Sequence, residues 1–100
     1  MEVTIKKDGN KILVKVVGRL DTTNVTDFEK EIAPVMAEPG EDIELDCSEF
    51  DYISSSGLRI FLMLQKRVTG AGGKLVLSNM KGEIREVFDM TGFSSIFTIE

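Results

Sequence analysis

The sequence passes from an extended apolar pattern to a helical one across Asp46-Cys47-Ser48-Glu49-Phe50-Asp51-Tyr52-Ile53-Ser54-Ser55-Ser56-Gly57-Leu58-Arg59, and three consecutive serines stand where the change occurs. A switch of period from 2 to 3.6 fixes a strand-to-helix junction in mid-chain and places the serine hydroxyls in the first turn of a helix. A helix start leaves four backbone N–H groups without intrahelical partners, and its dipole favours negative charge. A serine there can cap the helix, hold an anion or accept a phosphate.

The rest of the chain alternates around this junction. Val3–Lys6 and Lys11–Val17 are rich in β-branched residues, and Asp8-Gly9 between them is a turn signal, so the chain opens with a β-hairpin. Val25, Phe28, Ile32, Val35 and Met36 then recur at helical spacing. They predict a helix of about three turns starting near Thr22 or Thr23. Asp21 or a threonine after it is placed to cap that helix, and Pro34 and Pro39-Gly40 mark its end.

Ile43–Asp46 resumes an extended pattern that runs into the junction. Beyond it Leu58, Phe61, Leu62, Gln65 and Val68 form an inner helical face, which Ile60, Met63 and Leu64 broaden. So wide a face implies either contact with neighbouring helices as well as with a sheet, the preferred reading, or a surface reserved for a partner. Thr69–Gly73 stops the helix, Lys74–Ser78 is a strand, Ile84, Val87 and Phe88 mark a third helix ending near Gly92, and Ser95–Ile99 is a last short strand. The order predicts one α/β domain over residues 1–100: a mixed, mostly parallel sheet with an N-terminal hairpin and about three to four helices, on one face or on two.

Composition narrows the chemistry. The chain has a net charge of −5, which argues against a nucleic-acid backbone as partner. Its longest apolar run, Ile60–Leu64, falls far short of the roughly 20 residues that span a bilayer. No leader pattern opens the sequence, and the single cysteine, Cys47, fits a reducing compartment, so a cytoplasmic location is expected. Histidine is absent, which removes Ser-His-Asp and Cys-His catalysis together with the commonest metal ligand. The nucleophile elbow also fails, because Ile53 stands where a glycine must precede Ser55. Thr69-Gly70-Ala71-Gly72-Gly73-Lys74-Leu75 is not a phosphate loop, since Leu75 replaces the required hydroxyl residue and a strand follows. Cys47, beside apolar residues and without a basic neighbour, reads as a buried structural thiol.

Asp21, Asp46 and Asp51 each follow a strand pattern and could meet on one rim of a sheet, as in a receiver-like domain that binds Mg²⁺ and accepts a phosphoryl group. The plainer reading, with Asp21 as a helix cap and the other two shaping a loop, is preferred. For the serines, capping contributes on the order of 1 kcal/mol but needs only one hydroxyl. A phosphorylation site is the other reading. It would add about −1.5 to −2 charges, which the helix start tolerates and a docked partner would not.

Gly18-Arg19-Leu20-Asp21, the stretch Asp46–Arg59 with its Tyr52-Ile53-Ser54-Ser55-Ser56-Gly57-Leu58 core, Gly73-Lys74-Leu75-Val76-Leu77, and Val87-Phe88-Asp89-Met90-Thr91-Gly92-Phe93 resemble the successive signatures of the STAS family. That family joins sulfate transporters with anti-sigma factor antagonists, and at this length the chain resembles a stand-alone bacterial antagonist. The resemblance implies a non-enzymatic protein that binds an anti-sigma factor serine kinase, frees the sigma factor, and is released when the kinase phosphorylates a serine at this helix start. A PP2C-type serine phosphatase would reverse the change. No cofactor or metal belongs to the domain itself, ATP and Mg²⁺ being the partners'.

Aligning on Gly57-Leu58 puts the acceptor at Ser55, with Ser56 and Ser54 as the lesser candidates. Many members carry Asp just before the acceptor, where this chain has Ser54. The implied partner surface comprises Asp21, Ser54, Ser55, Ser56, Gly57 and Arg59. Within the family, the alternative is a STAS subunit of a transporter or signalling scaffold that is not controlled by phosphorylation.

Overall fold

A computed structural model describes all of residues 1–100. Strands β1 (Glu2–Asp8) and β2 (Lys11–Leu20) form the expected antiparallel hairpin, with Asp8 opposite Lys11. Strand β3 (Asp42–Ile53) lies parallel to β2, strand β4 (Lys74–Ser78) parallel to β3, and strand β5 (Thr98–Ile99) parallel to β4. The sheet order is therefore that of the sequence, β1 through β5.

Four helices complete the domain: α1 (Val25–Glu31), α2 (Ala33–Met36), α3 (Ser55–Gly70) and α4 (Gly82–Thr91). They cover one face of the sheet. Ile12, Val14 and Val16 of β2, Ile43, Leu45 and Cys47 of β3, and Leu75 and Leu77 of β4 are buried on that side against the helices. Phe61 of α3 sits at the middle of this core, with ring centroids 5.9 Å from Phe28 of α1, 5.8 Å from Phe50 of β3 and 6.2 Å from Phe88 of α4. The opposite face carries Leu13, Lys15, Glu44 and Asp46, none of them buried.

The structure departs from the expected pattern in three places. The single helix expected from Thr22 or Thr23 starts later and is two pieces. Pro34 has no N–H to donate to Lys30, so α1 ends and α2 restarts around Ile32, whose carbonyl accepts from Val35 and Met36. Strand β3 continues beyond the plain alternation of Ile43–Asp46 as far as Ile53. It carries two bulges, since Lys15 and Val17 pair with Asp46 and Glu49, and Gly18 and Arg19 pair with Phe50 and Tyr52. Cys47 consequently lies inside the strand. The last strand is short because Phe93–Ser95 form a single 3-10 turn, which seats Phe97 against Phe88 at 5.4 Å.

Candidate functional site

The serines lie where β3 hands over to α3. Leu20 and Ile53 are the last paired residues of β2 and β3, and the Ser54 N–H then donates to the Leu20 carbonyl at 2.9 Å. The sheet ladder thus extends into the helix cap. Ser54 is extended (φ −87°, ψ 171°), and its hydroxyl accepts from the Gly57 N–H at 3.2 Å, the bond expected of an N-cap serine. Ser54 and Ser56 hydroxyls lie 2.9 Å apart and are hydrogen-bonded to each other.

Ser55 is different. It is exposed, and its hydroxyl has no partner within the protein. The Ser55 and Ser56 N–H groups also lack protein acceptors, so two free donors and the positive end of a 16-residue helix lie beside that hydroxyl.

Gly57 holds this geometry in place. A Cβ there would stand 2.8 Å from Leu20 Cδ2 and 3.0 Å from Ile53 Cγ1, so the first turn of α3 rests directly on the ends of the two central strands. Leu58 is buried behind it, while Arg59, one turn after Ser55, is exposed.

Asp21 stands at the end of β2, next to the Leu20 that receives the Ser54 bond. It does not cap α1. Its carboxylate accepts from the Thr23 hydroxyl at 2.5 Å and the Thr23 N–H at 2.9 Å, and these bonds hold it below the usual carboxylate range. Asn24 ties the loop down, its amide oxygen accepting from the Asp21 N–H at 2.9 Å and its nitrogen donating to the Arg19 carbonyl at 2.7 Å. The sequence reading missed Asn24, for which an asparagine just before a helix was the available signal.

Asp51 and Tyr52, both exposed, extend the rim. Lys81 binds Asp51 at 2.5 Å, and the Arg19 guanidinium lies over the Tyr52 ring at 4.3 Å. Asp46 is elsewhere, on the open face of the sheet. Burial pushes its carboxyl up, but bonds from the Ser48 N–H and the Asn79 amide outweigh this and leave it low. Asp21, Asp46 and Asp51 therefore serve three separate sets of neighbours, and the receiver-like cluster does not form. Cys47 is buried, and desolvation pushes its thiol up to about 12.

No helix of the protein is long and apolar enough to cross a membrane. The STAS domain family matches residues 2–100. The chain is 34% identical over 99 residues to BtrV of Bordetella bronchiseptica, named as an anti-sigma factor antagonist, covering 99% of this chain and 85% of that one. It is 30% identical over 99 residues to the anti-sigma-B factor antagonist of Bacillus subtilis, covering 99% and 90%.

Among solved structures, an anti-sigma factor antagonist of Thermotoga maritima superposes with a TM-score of 0.87 at 19% identity, over 97% of this chain and 84% of that one. The Bacillus protein SpoIIAA in its phosphorylated form does so with a TM-score of 0.73 at 17% identity, over 99% and 91%. These structures share its fold, a helical layer on one face of a five-stranded mixed sheet. The chain belongs to the STAS domain family, with anti-sigma factor antagonists as its relatives.

Proposed function

We propose that this domain is an anti-sigma factor antagonist: it binds an anti-sigma factor serine kinase, so that the sigma factor is freed, and phosphorylation of Ser55 ends that binding. The observation that carries the reading is the division of labour among the serines. Ser54 is spent on the cap and Ser56 on Ser54, which leaves Ser55 as the exposed hydroxyl without a partner. Relatives named as anti-sigma factor antagonists support the partner class, and SpoIIAA, of the same fold, exists in a phosphorylated form.

The physics follows from the helix start. A phosphoryl group on Ser55 adds about −1.5 to −2 charges beside two free N–H donors and the helix dipole, so the domain itself accommodates it. A partner seated over Asp21, Ser54, Ser55, Ser56, Gly57 and Arg59 meets the same charge with no such compensation. The domain is a substrate and a binding surface, not a catalyst. The kinase supplies ATP and Mg²⁺, a PP2C-type serine phosphatase restores the free hydroxyl, and the cytoplasm is where this exchange takes place.

The test is incubation with the cognate anti-sigma factor kinase and ATP, followed by peptide mass spectrometry and a binding assay. One phosphoryl group at Ser55 and loss of the complex are expected, with Ser55→Ala binding but never releasing. Phosphate uptake and switching by Ser55→Ala would overturn the site, and a domain that binds yet takes no phosphate would favour the scaffold reading.

A further inference from the structure

We propose that the docking surface does not end at the serines but continues along α3 into the groove between α2 and α3, and that the segment it receives is an acidic, amphipathic stretch of the anti-sigma factor. This rests on the function proposed above and says what the partner brings to it.

The geometry comes from the exposed side of α3. Ser55, Arg59, Met63 and Lys66 are exposed while Leu58, Ile60, Phe61, Leu64 and Val68 are buried. Spacings of four, four and three residues put the exposed set on one face, as a stripe about 16 Å long at 1.5 Å per residue. The stripe leads into an open groove of about 580 Å³ in which Ala33, Met36 and Met63 supply the apolar lining and Glu29, Lys66 and Arg67 the charged rim. Met63 is 45% exposed, a large apolar side chain left uncovered at the middle of the stripe. The Arg67 guanidinium donates to the Met36 carbonyl at 2.6 Å and so holds α2 against α3, which keeps the groove's two walls in register.

Charge selects the occupant. In a chain of net charge −5, α3 holds Arg59, Lys66 and Arg67 and no acidic residue. The helices beside it are the reverse: α1 sets Asp27, Glu29 and Glu31 against Lys30, and α4 sets Glu83, Glu86 and Asp89 against Arg85. A cationic stripe between acidic flanks steers an acidic segment onto α3, and Glu29 of α1, the one acidic side chain on the groove's rim, bounds its path on that side. The methionines fit the apolar side of such a segment, because unbranched thioethers adapt to an irregular partner. The surface also explains the sign of the switch. A phosphoryl group on Ser55 places negative charge at the head of the stripe, where it repels an acidic segment and competes with it for Arg59.

Titration calorimetry against the cognate anti-sigma factor, at low and at high salt, tests this with Lys66→Glu, Met63→Ser and, as a control on the far edge of the sheet, Lys6→Glu. Expected are a loss of roughly ten-fold or more in affinity for Lys66→Glu with a shallower salt dependence, a similar loss for Met63→Ser at both salts, and no change for Lys6→Glu. Thermal melts matching the parent establish that each variant is folded, as exposed positions allow. If Lys66→Glu and Met63→Ser bind like the parent while Ser55→Glu does not bind, the extended surface is wrong and the proposed function stands. If the parent itself does not bind the anti-sigma factor, both are overturned.

Discussion

Replacing Gly57 by alanine tests the packing on which the whole site rests. Alanine is the better helix former by about 1 kcal/mol, so on propensity alone the change should stabilise α3. The structure says otherwise. The new methyl carbon would lie 2.8 Å and 2.9 Å from Leu20 Cδ2 and Cγ, closer than real contacts come, and a tight 3.0 Å from Ile53 Cγ1. Leu20 is fully buried and Ile53 nearly so, so neither can swing into solvent. Overpacking of this kind costs about 1–3 kcal/mol, which cancels or outweighs the propensity gain and leaves a net loss of about 0–2 kcal/mol.

For a domain of this size each kcal/mol lowers the melting temperature by about 4–8 °C. Urea and thermal unfolding of Gly57→Ala measure the loss, and the double variant with Leu20→Ala identifies its source. Leu20→Ala alone should cost about 2–5 kcal/mol, but with that side chain gone the added methyl has room, and Gly57→Ala should become neutral or favourable. A Gly57→Ala protein more stable than the parent by the full propensity gain, or a penalty that survives Leu20→Ala, would refute the reasoning.

Three further outcomes are expected. Glu44 is held below its ordinary 4.5 first by the hydrogen bond from the Ser78 hydroxyl, at 2.7 Å, and then by Lys11. Such a carboxylate contributes stability that is full above 4.5 and is lost as pH falls through the lowered value, so Ser78→Ala should flatten the acid limb of a stability-against-pH curve, measured by urea midpoints. Cys47, with its thiol pushed up to about 12, should react with a thiol reagent at pH 8 only through unfolding, and labelling at the rate of a free thiol would contradict its burial. Ser55→Glu puts a carboxylate in the first turn of α3 and should leave the melting temperature equal or slightly raised, by about 0.3–1 kcal/mol of stability, whereas a clear drop would show that the helix start does not accept negative charge.

The order of elements was legible because most of the core follows plain periods. Ile12, Val14 and Val16 alternate, Leu58, Phe61, Leu64 and Val68 repeat helically, and both read directly as elements. The end of β3 did not, for a physical reason. Its buried residues Ile43, Leu45, Cys47, Phe50 and Ile53 are spaced two, two, three and three, since each bulge adds a residue that faces neither side regularly. A pattern that is neither 2 nor 3.6 ends a strand prematurely on paper. The position of the serines at a helix start was legible, as was Gly57 as part of a motif. Which hydroxyl is free was not, because the Ser54–Ser56 bond depends on how the cap is rotated against Leu20. The same holds for Asp51 and Tyr52, whose partners Lys81 and Arg19 are distant in sequence or reach back across the sheet end.

The bond from the Ser54 N–H to Leu20, with Gly57 pressed on the same leucine, has a consequence for how a signal can leave this domain. The helix start is clamped to the two central strands, so a phosphate on Ser55, under the proposed function, would meet a first turn already fixed in place. Under the proposed function the domain is a label rather than a lever: marked and unmarked copies share one shape and nearly one stability. Neither form is then preferentially cleared by proteolysis of unfolded chains, and the ratio of the two in a cell reports the balance of kinase and phosphatase rates alone.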